Sequence, residues 1–417
     1  MCSYRPSLVL AVLVLMSLLT GVQAAPAPGD FVRASGSQFQ LGGREYKAMG
    51  FTSYQLCVAK NKTSRAEVQR IFRAAKAAGF SLFRATSVVY DFNDGDLSHH
   101  LSEPVWQRVD LLLDVARQEH LKVILDFSTL TYETGRFSKP PFDVTDPANF
   151  DRLKPIYQRV PSRVNRINRR VYKNDPTILG YSVLGEIVPF GLRYKADHTL
   201  DLGNESRDVN NYLAFIHAAA AEIKRNDPNH LVNAGGLLHV SPDGPVRGAS
   251  GKPYWRTLWA DPNIDFASVH IYPNLDDDLK KATLPLAPPY PLTLPVGEWK
   301  NLPVYKAYAD KIGKPFMVEE WGLSLDRRLP EKDDAGKPGT LAYSPQFQQD
   351  YFRSALAATT AAKVPVTILW QWYPGNSFDL YPGASKDEDA VIAIVKKSSA
   401  AFNSSGLPAL PTGHTAP

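Results

Sequence analysis

Cysteine is scarce in this sequence. Only Cys2 and Cys57 occur in 417 residues. Cys2 lies in an N-terminal segment that we expect to be removed, so the remaining chain cannot form an intrachain disulfide. A hydrophobic core must therefore hold the fold, and a chain of this length can supply one as a large α/β barrel or as two domains. No histidine pattern accompanies Cys57, and we interpret it as a small buried apolar residue rather than a nucleophile.

Long runs of one charge are also missing. The formal net charge is +5, and the 47 basic and 42 acidic residues are interspersed. This pattern has neither the basic stripe of a nucleic-acid-binding protein nor a polybasic membrane patch. We therefore expect no nucleic-acid partner and no membrane partner.

The longest apolar run lies near the N terminus, and it has fewer residues than a membrane-spanning helix needs. Arg5 precedes the run from Leu8 to Leu19, and small residues follow at Ala24 and Ala25. This order is typical of a secretory signal peptide, whereas a membrane anchor needs roughly 20 apolar residues. We predict a signal peptide over residues 1–24, one folded domain over 25–402 and a disordered tail over 403–417. The protein should be secreted, to the extracellular space or to a bacterial periplasm.

Apolar runs of strand length alternate with amphipathic helical patterns through most of the chain. The strand candidates are apolar nearly throughout, as strands covered on both faces are. Eight such strands, with a helix after nearly every one, predict a single (β/α)8 TIM barrel. The eight candidates are residues 46–54, 81–89, 122–128, 178–186, 231–237, 265–272, 315–321 and 366–373.

Several motifs of other enzyme classes are absent. The first strand is not followed by the glycine-rich turn that a doubly wound nucleotide-binding sheet would use. There is no Gly-x-Ser-x-Gly elbow of a serine hydrolase and no His-x-His metal motif at a strand end. We accordingly expect neither a cofactor nor a metal.

Polar and aromatic residues stand where the predicted strands end. A barrel enzyme carries its active site at the C-terminal ends of its strands. Two carboxylates on different strands suit glycoside hydrolysis, which needs a proton donor and a carboxylate facing the anomeric carbon, and aromatic rings suit sugar faces. Any one of these residues alone also fits a structural role, and the prediction depends on their coincidence. The candidates are Tyr54, Arg84, Asp126, Glu186, His270, Tyr272, Glu319, Glu320 and Trp370.

The sequence resembles glycoside hydrolase family five, and within it the endo-β-1,4-mannanases. The resemblance extends from about Phe31 to about Trp372. His270-x-Tyr272 and the Glu-aromatic-Gly motif that begins at Glu320 are fairly specific in their order and spacing. The other matching stretches are FVRASGSQFQLGGREYKAMGFTSYQL, RINRRVYKNDPTILGYSVLGE, NDPNHLVNAGG, KPFMVEEWGLS and ILWQWYP.

The resemblance implies a retaining mechanism with a covalent glycosyl-enzyme. Glu186 would be the acid/base and Glu320 the nucleophile, with their carboxyl groups about 5–5.5 Å apart. Glu319 would be the outward neighbour of Glu320, since adjacent strand residues point to opposite faces. Four further residues, Arg84, His270, Tyr272 and Trp370, match the family's sugar-binding positions, and we add Tyr54 and Trp321 as aromatic candidates for substrate contact.

One position departs from the family pattern. The family has Asn-Glu at the end of the fourth strand, and this chain has Gly185-Glu186. The expected substrate is a β-1,4-mannan or a related β-linked polysaccharide or oligosaccharide. We expect a monomer that binds it without a separate binding module. The alternatives are an exo-acting β-mannosidase, a β-glucanase, or a carbohydrate-binding pseudoenzyme. The proline-rich segment 273–303 could wall off the cleft or supply Trp299 as a sugar platform.

Overall fold

The structure is a computed structural model, and a defined part of the chain is described. Its described residues are 26–57, 62–86, 103–127, 148–187, 192–194, 200–202, 205–238, 242–243, 251–272, 297–323, 328–332, 338–341, 345–375 and 379–402. The expected signal peptide, the expected C-terminal tail and most of segment 273–303 lie outside these residues.

A curled parallel sheet forms the centre of the molecule. Its ten strand segments occupy eight positions, because the fourth and the fifth strand each consist of two segments. All neighbouring pairs in the sheet are parallel, and the eighth strand pairs with the first, Val366 with Ala48 and Trp370 with Thr52. The segments are β4 (Ala48–Thr52), β5 (Leu82–Ala85), β6 (Lys122–Asp126), β7 (Ile178–Ser182), β8 (Glu186–Ile187), β11 (Leu231–Asn233), β12 (Gly236–Leu237), β13 (Ala267–Ile271), β14 (Phe316–Trp321) and β17 (Val366–Trp370).

The two-part fifth strand closes the barrel. Its first segment, β11, pairs with β7, and its second, β12, pairs with both β8 and β13. A bridge between Asn233 and Phe266 adds a contact to the sixth strand. Each of the eight sequence-predicted strands supplies one position, so the predicted (β/α)8 barrel is confirmed.

Helices surround the barrel and cover it with apolar side chains. The helix after the first strand begins at the predicted N-cap, where the Ser64 hydroxyl accepts from the Glu67 backbone N–H at 3.2 Å. That helix ends before Gly79, whose φ of +95° suits glycine. The helices are α1 (Tyr54–Cys57), α2 (Arg65–Ala77), α3 (Glu103–Gln118), α4 (Ala148–Ser162), α5 (Glu205–Asn226), α6 (Tyr254–Ala260), α7 (Leu302–Lys311), α8 (Pro345–Ala361) and α9 (Lys386–Phe402).

An N-terminal antiparallel sheet packs against the bottom of the barrel. It consists of β1 (Arg33–Ser35), β2 (Gln38–Leu41) and β3 (Arg44–Glu45). Val32, Phe39 and Tyr46 from this region form one buried cluster with residues from the lower ends of the barrel strands. This sheet therefore seals the N-terminal end of the barrel and leaves chemistry to the opposite end.

Smaller elements complete the described fold. Two antiparallel pairs join β9 (Leu192–Tyr194) to β10 (Leu200–Leu202) and β15 (Arg328–Lys332) to β16 (Pro338–Leu341). Short 3-10 helices cover Pro28–Asp30, Tyr172–Asn174 and Gly297–Asn301. Across the described ranges, none of the helices is long and apolar enough to cross a membrane.

Candidate active site

Arg84 is the centre of a charged cluster inside the barrel. It lies on β5 and is fully buried. Its guanidinium forms ion pairs with Asp126 and Glu320, and its Nε lies 3.6 Å from Glu319 Oε1. Burial by itself lowers the pKa of Arg84, but the charges of Asp126, Glu320 and Glu319 outweigh burial and hold the pKa above its ordinary value. Arg84 is therefore a permanent cation that three carboxylates share.

Glu320 lies near the C-terminal end of β14 and is 6% exposed. Its carboxylate accepts a hydrogen bond from the Tyr272 hydroxyl at 2.7 Å and another from the Arg84 guanidinium. His270 Nδ1 lies 4.0 Å from Glu320 Oε1. The structure thus brings three other sequence-predicted site residues, Arg84, His270 and Tyr272, together around the Glu320 carboxylate.

The structure corrects the expectation that Glu319 points outward. Its carboxylate lies in the barrel interior and accepts from Ser182 Oγ, Ser268 Oγ at 2.5 Å and Asn233 Nδ2 at 2.7 Å. The reason is a register shift, because Val269 pairs with Val318 whereas His270 pairs with Glu320. An extra residue in one strand breaks the alternation of faces, so Glu319 and Glu320 can both face inward.

The three residues that hold Glu319 were not identified from the sequence. Ser182, Asn233 and Ser268 are fully buried, and each stands on a different strand. Asn233 also donates to Ser268 Oγ at 2.8 Å, which links them into one network below Glu320. A signal for them was present, because each is a small polar residue in an otherwise apolar strand, and buried polar groups need partners.

Asp126 ends β6 and contributes a third buried carboxylate. It is fully buried and contacts Arg84 as an ion pair rather than through an aligned hydrogen bond. Burial raises the pKa of Asp126 to about 6, with Glu319 and Glu320 adding to the rise while Arg84 and His270 oppose it. Among the described residues, no group of three or more His, Cys, Asp or Glu side chains is arranged to hold a metal ion.

A glycine makes room for His270. A β-carbon on Gly236 would lie 2.0 Å from His270 Cδ2 and 2.4 Å from Nε2, so the imidazole occupies the space over this residue. The ring is fully buried. The absence of a β-carbon at Gly236 on β12 therefore leaves the space that the His270 ring occupies beside Glu320.

Tyr54 and Trp370 lie side by side at the junction of the first and eighth strands. Their ring centroids are 6.2 Å apart, and both side chains are partly exposed. The Tyr54 backbone N–H donates to Gln371 Oε1 at 2.9 Å, which ties the start of α1 to the end of β17. Two accessible aromatic rings at the top of the barrel form a surface on which a sugar ring can lie.

Two tryptophans that the sequence suggested for substrate contact are packing residues. Trp321 is 1% exposed, and its ring packs on Trp299 and on Phe352 of α8. Trp299 is also 1% exposed, and its indole N–H donates to the Tyr351 hydroxyl at 3.1 Å. Their rings are buried between the strand and the helices, so neither the expected Trp321 contact nor a Trp299 platform is supported.

Glu186 has a defined backbone position but no described side chain. It begins β8, where it is in register with Gly236, and the preceding Gly185 accepts from the Gly236 backbone N–H at 2.9 Å. The Glu186 side chain lies outside the part of the structure that is described, so the expected separation of about 5–5.5 Å between the Glu186 and Glu320 carboxyl groups stays a prediction. Two polar side chains of neighbouring strands already have other partners, since Asn233 donates to Glu319 and Asp126 pairs with Arg84.

Cys57 takes no part in this cluster. The thiol is buried, as the sequence predicted, and its Sγ donates to the Ser53 carbonyl at 3.6 Å. Burial raises the pKa of Cys57 to about 12. A thiol that stays protonated at neutral pH is a poor nucleophile, so its role is in packing.

Comparison with known proteins agrees with the geometry. The profile of a family described as GH family 5 beta-mannosidase-like matches residues 106–361, which is more than half of the chain. The chain belongs to glycoside hydrolase family 5. This family 5 glycosidase is 26% identical over 401 residues to mannan endo-1,4-beta-mannosidase 8 of Oryza sativa subsp. japonica, covering 88% of this chain and 95% of the relative. It is 27% identical over 337 residues to mannan endo-1,4-beta-mannosidase 7 of Arabidopsis thaliana, covering 74% of this chain and 71% of the relative.

Solved structures share the fold of this family 5 chain. The endo-1,4-beta-mannanase of Rhizomucor miehei superposes with a TM-score of 0.64 at 19% identity, covering 89% of this chain and 99% of that one. A family 5 mannosidase from the same fungus, in complex with mannosyl-fructose, superposes with a TM-score of 0.62 at 15% identity, covering 91% and 98%. At these low sequence identities the similarity shows that the fold is shared, and it shows nothing further.

Proposed function

We propose that this chain hydrolyses β-1,4-mannan, or a closely related β-linked glycan, by a retaining double displacement. Glu320 is the nucleophile and Glu186 the acid/base in this proposal. The observation that carries it is the setting of Glu320, a nearly buried carboxylate at a strand end held by the Tyr272 hydroxyl and the Arg84 guanidinium. The names of the curated mannan endo-1,4-beta-mannosidases support mannan as the substrate.

The contacts of Glu320 suit a nucleophile. The Arg84 guanidinium is in ion-pair contact with the carboxylate, and the Tyr272 hydroxyl donates to its Oε1. These contacts hold the carboxylate in one orientation for attack on the anomeric carbon. The attack forms a glycosyl ester on Glu320 as the bond to the leaving-group oxygen breaks.

Glu186 supplies the proton that the leaving oxygen needs. It begins a separate strand segment, β8, at the same end of the barrel as Glu320. After departure of the leaving group it takes a proton from water, and the resulting hydroxide releases the sugar from Glu320. The protein provides no further reactant in this scheme.

Paired variants test both roles. Glu320→Gln and Glu186→Gln are assayed on β-mannan, glucomannan, β-glucan, xylan and aryl β-glycosides, with product lengths measured. We expect mannan to be the preferred polymer, and activity to be lost in Glu320→Gln. Glu186→Gln should keep more activity on aryl glycosides with good leaving groups, because these need little protonation. Wild-type activity in both variants would refute the assignment.

A carbohydrate-binding protein without turnover is the second candidate, and Gly185 favours it. The residue carries no side chain beside Glu186, where the family has asparagine. A missing hydrogen bond of that kind can cost about 1.5–3 kcal/mol in the transition state, or roughly ten- to a hundredfold in rate. Glycan binding by wild type without release of reducing sugar would select this candidate.

We also propose that the enzyme is secreted after removal of residues 1–24. The apolar run before Ala24 is the basis of this proposal. N-terminal sequencing of protein recovered from the culture medium tests it. A first residue at or near Ala25 is expected, and retention of Met1 on cell-bound protein would contradict it.

A further inference from the structure

Asp126 is an unusual member of the charged cluster. Within the described residues, Arg84 is the only basic side chain in ion-pair contact with it. Among the described residues, none donates an aligned hydrogen bond to either Asp126 oxygen, whereas Glu319 accepts three from Ser182, Ser268 and Asn233. Burial of a carboxylate with so few partners is costly. The contact of Asp126 with Arg84 is thus the main interaction available to offset that cost.

The guanidinium is held between Asp126 on one strand and Glu320 on another. Nη2 faces Asp126 and Nη1 faces Glu320. The planar fork of arginine transmits orientation, because fixing one amino group fixes the other. The direction of the Arg84 hydrogen bond to Glu320 therefore depends on Asp126.

We propose that Asp126 is a positioning residue, which anchors the Arg84 guanidinium against Glu320 through its ion pair and so fixes the contact that Glu320 receives. The inference rests on the proposed function, in which Glu320 is the nucleophile. Asp126 acts on the reacting atoms through its contact with Arg84.

Asp126 changes its charge within the pH range in which enzymes commonly work. The described groups that interact with it electrostatically are Arg84 on β5, His270 on β13, Glu319 and Glu320 on β14, and the thiol of Cys57 on α1. Because burial raises the pKa of Asp126 to about 6, this side chain is neutral in acid and ionised at neutral pH. When ionised, it adds a negative charge that makes neighbouring acids retain their protons to higher pH.

Activity profiles against pH form the first test. For Asp126→Asn, we expect an unchanged acidic limb of kcat/KM, and an alkaline limb shifted to lower pH by about half a unit or more. Asp126→Ala removes the anchor as well, and we expect kcat to fall at least about tenfold below that of Asp126→Asn at every pH. A profile of Asp126→Asn that superimposes on wild type, or equal rates in the two variants, would overturn the proposal.

Unfolding against pH forms the second test and needs no activity. A folded-state pKa above the unfolded value means that folding favours the protonated form, so wild type loses stability relative to Asp126→Asn as pH rises from about 4 to about 6. We expect the stability advantage of the variant to grow over this window. An advantage that is constant with pH would refute the proposal.

Asp114→Asn is the matched control. Asp114 is a buried aspartate on α3, outside the barrel, and it pairs with Arg65 and Arg117. Burial alone would raise the pKa of Asp114, but the two arginines lower it, so its loss should cost stability at neutral pH and less in acid. The kcat/KM profile of this control should follow wild type.

The two proposals fail in different ways. If wild type turns over no glycoside, the proposed function fails, and the unfolding experiment still decides whether Asp126 titrates against Arg84. If wild type is active and Glu320→Gln is not, while Asp126→Asn changes neither pH profile nor unfolding, only the inference on Asp126 fails.

Discussion

We expect substitution of Glu319 on β14 to lower mainly the stability of the fold, and substitution of its neighbour Glu320 to lower mainly the turnover rate. In Glu319→Gln the acceptor of three hydrogen bonds becomes a neutral amide, and one of its oxygens becomes an NH₂ group facing Ser182 Oγ or the Ser268–Asn233 pair. Bonds to a charged acceptor are worth about 1 kcal/mol more than bonds to a neutral one, so three of them give about 3 kcal/mol. Relief of burying one negative charge offsets part of this loss. We expect a net destabilisation of about 2 kcal/mol.

The assay compares this variant with its neighbour. Urea unfolding is followed by fluorescence of the seven tryptophans, and turnover is measured on β-mannan. Glu319→Gln should unfold at lower urea and retain turnover within about tenfold of wild type. Glu320→Gln loses two such bonds rather than three, so it should be destabilised less, and it should lose at least about a thousandfold in turnover. An equally stable Glu319→Gln protein, or one as inactive as Glu320→Gln, would refute the division of roles.

Two further substitutions test the surroundings of Glu320. Gly236→Ala places a β-carbon on the His270 ring, and we expect it to lose about 1–3 kcal/mol of stability together with most of its activity. Gly29→Ala, whose β-carbon would meet only the Gly42 Cα at 3.9 Å, is the control for both measurements and should behave as wild type. Tyr272→Phe removes the 2.7 Å hydrogen bond to Glu320, and kcat/KM should fall about ten- to a hundredfold; an unchanged kcat/KM would show that the bond does not contribute to turnover.

The barrel could be predicted from the sequence because its strands are continuous apolar runs. Each candidate strand corresponds to an observed one, although β4 begins two residues later and ends two residues earlier than the run 46–54. Periodicity reports burial on both faces, which holds over the middle of a barrel strand. It gave no indication of the break in the fifth strand between β11 and β12, because the position of that break depends on backbone geometry and not on residue composition.

The site was harder to predict than the fold. Arg84, His270, Tyr272 and Glu320 could be proposed together because they stand at strand ends. The direction of Glu319 could not be, because a bulge leaves no mark in a one-dimensional pattern. Trp321 was equally hard to predict, because an indole suits a sugar platform and a packed core alike. Its burial against α8 shows that it is a packing residue, and the sequence pattern did not reveal that contact.

Closure of the barrel has a consequence for the order of events during synthesis. The first strand pairs with the last, and the hydrogen bond from Tyr54 to Gln371 spans 317 positions. A nascent chain that has not yet reached residue 366 lacks the strand that pairs with both β4 and β14, so its sheet has two unpaired edges. Open edges pair readily with other chains, and long-range contacts form slowly. The interval before β17 docks is therefore the period in which this protein depends most on protection from aggregation.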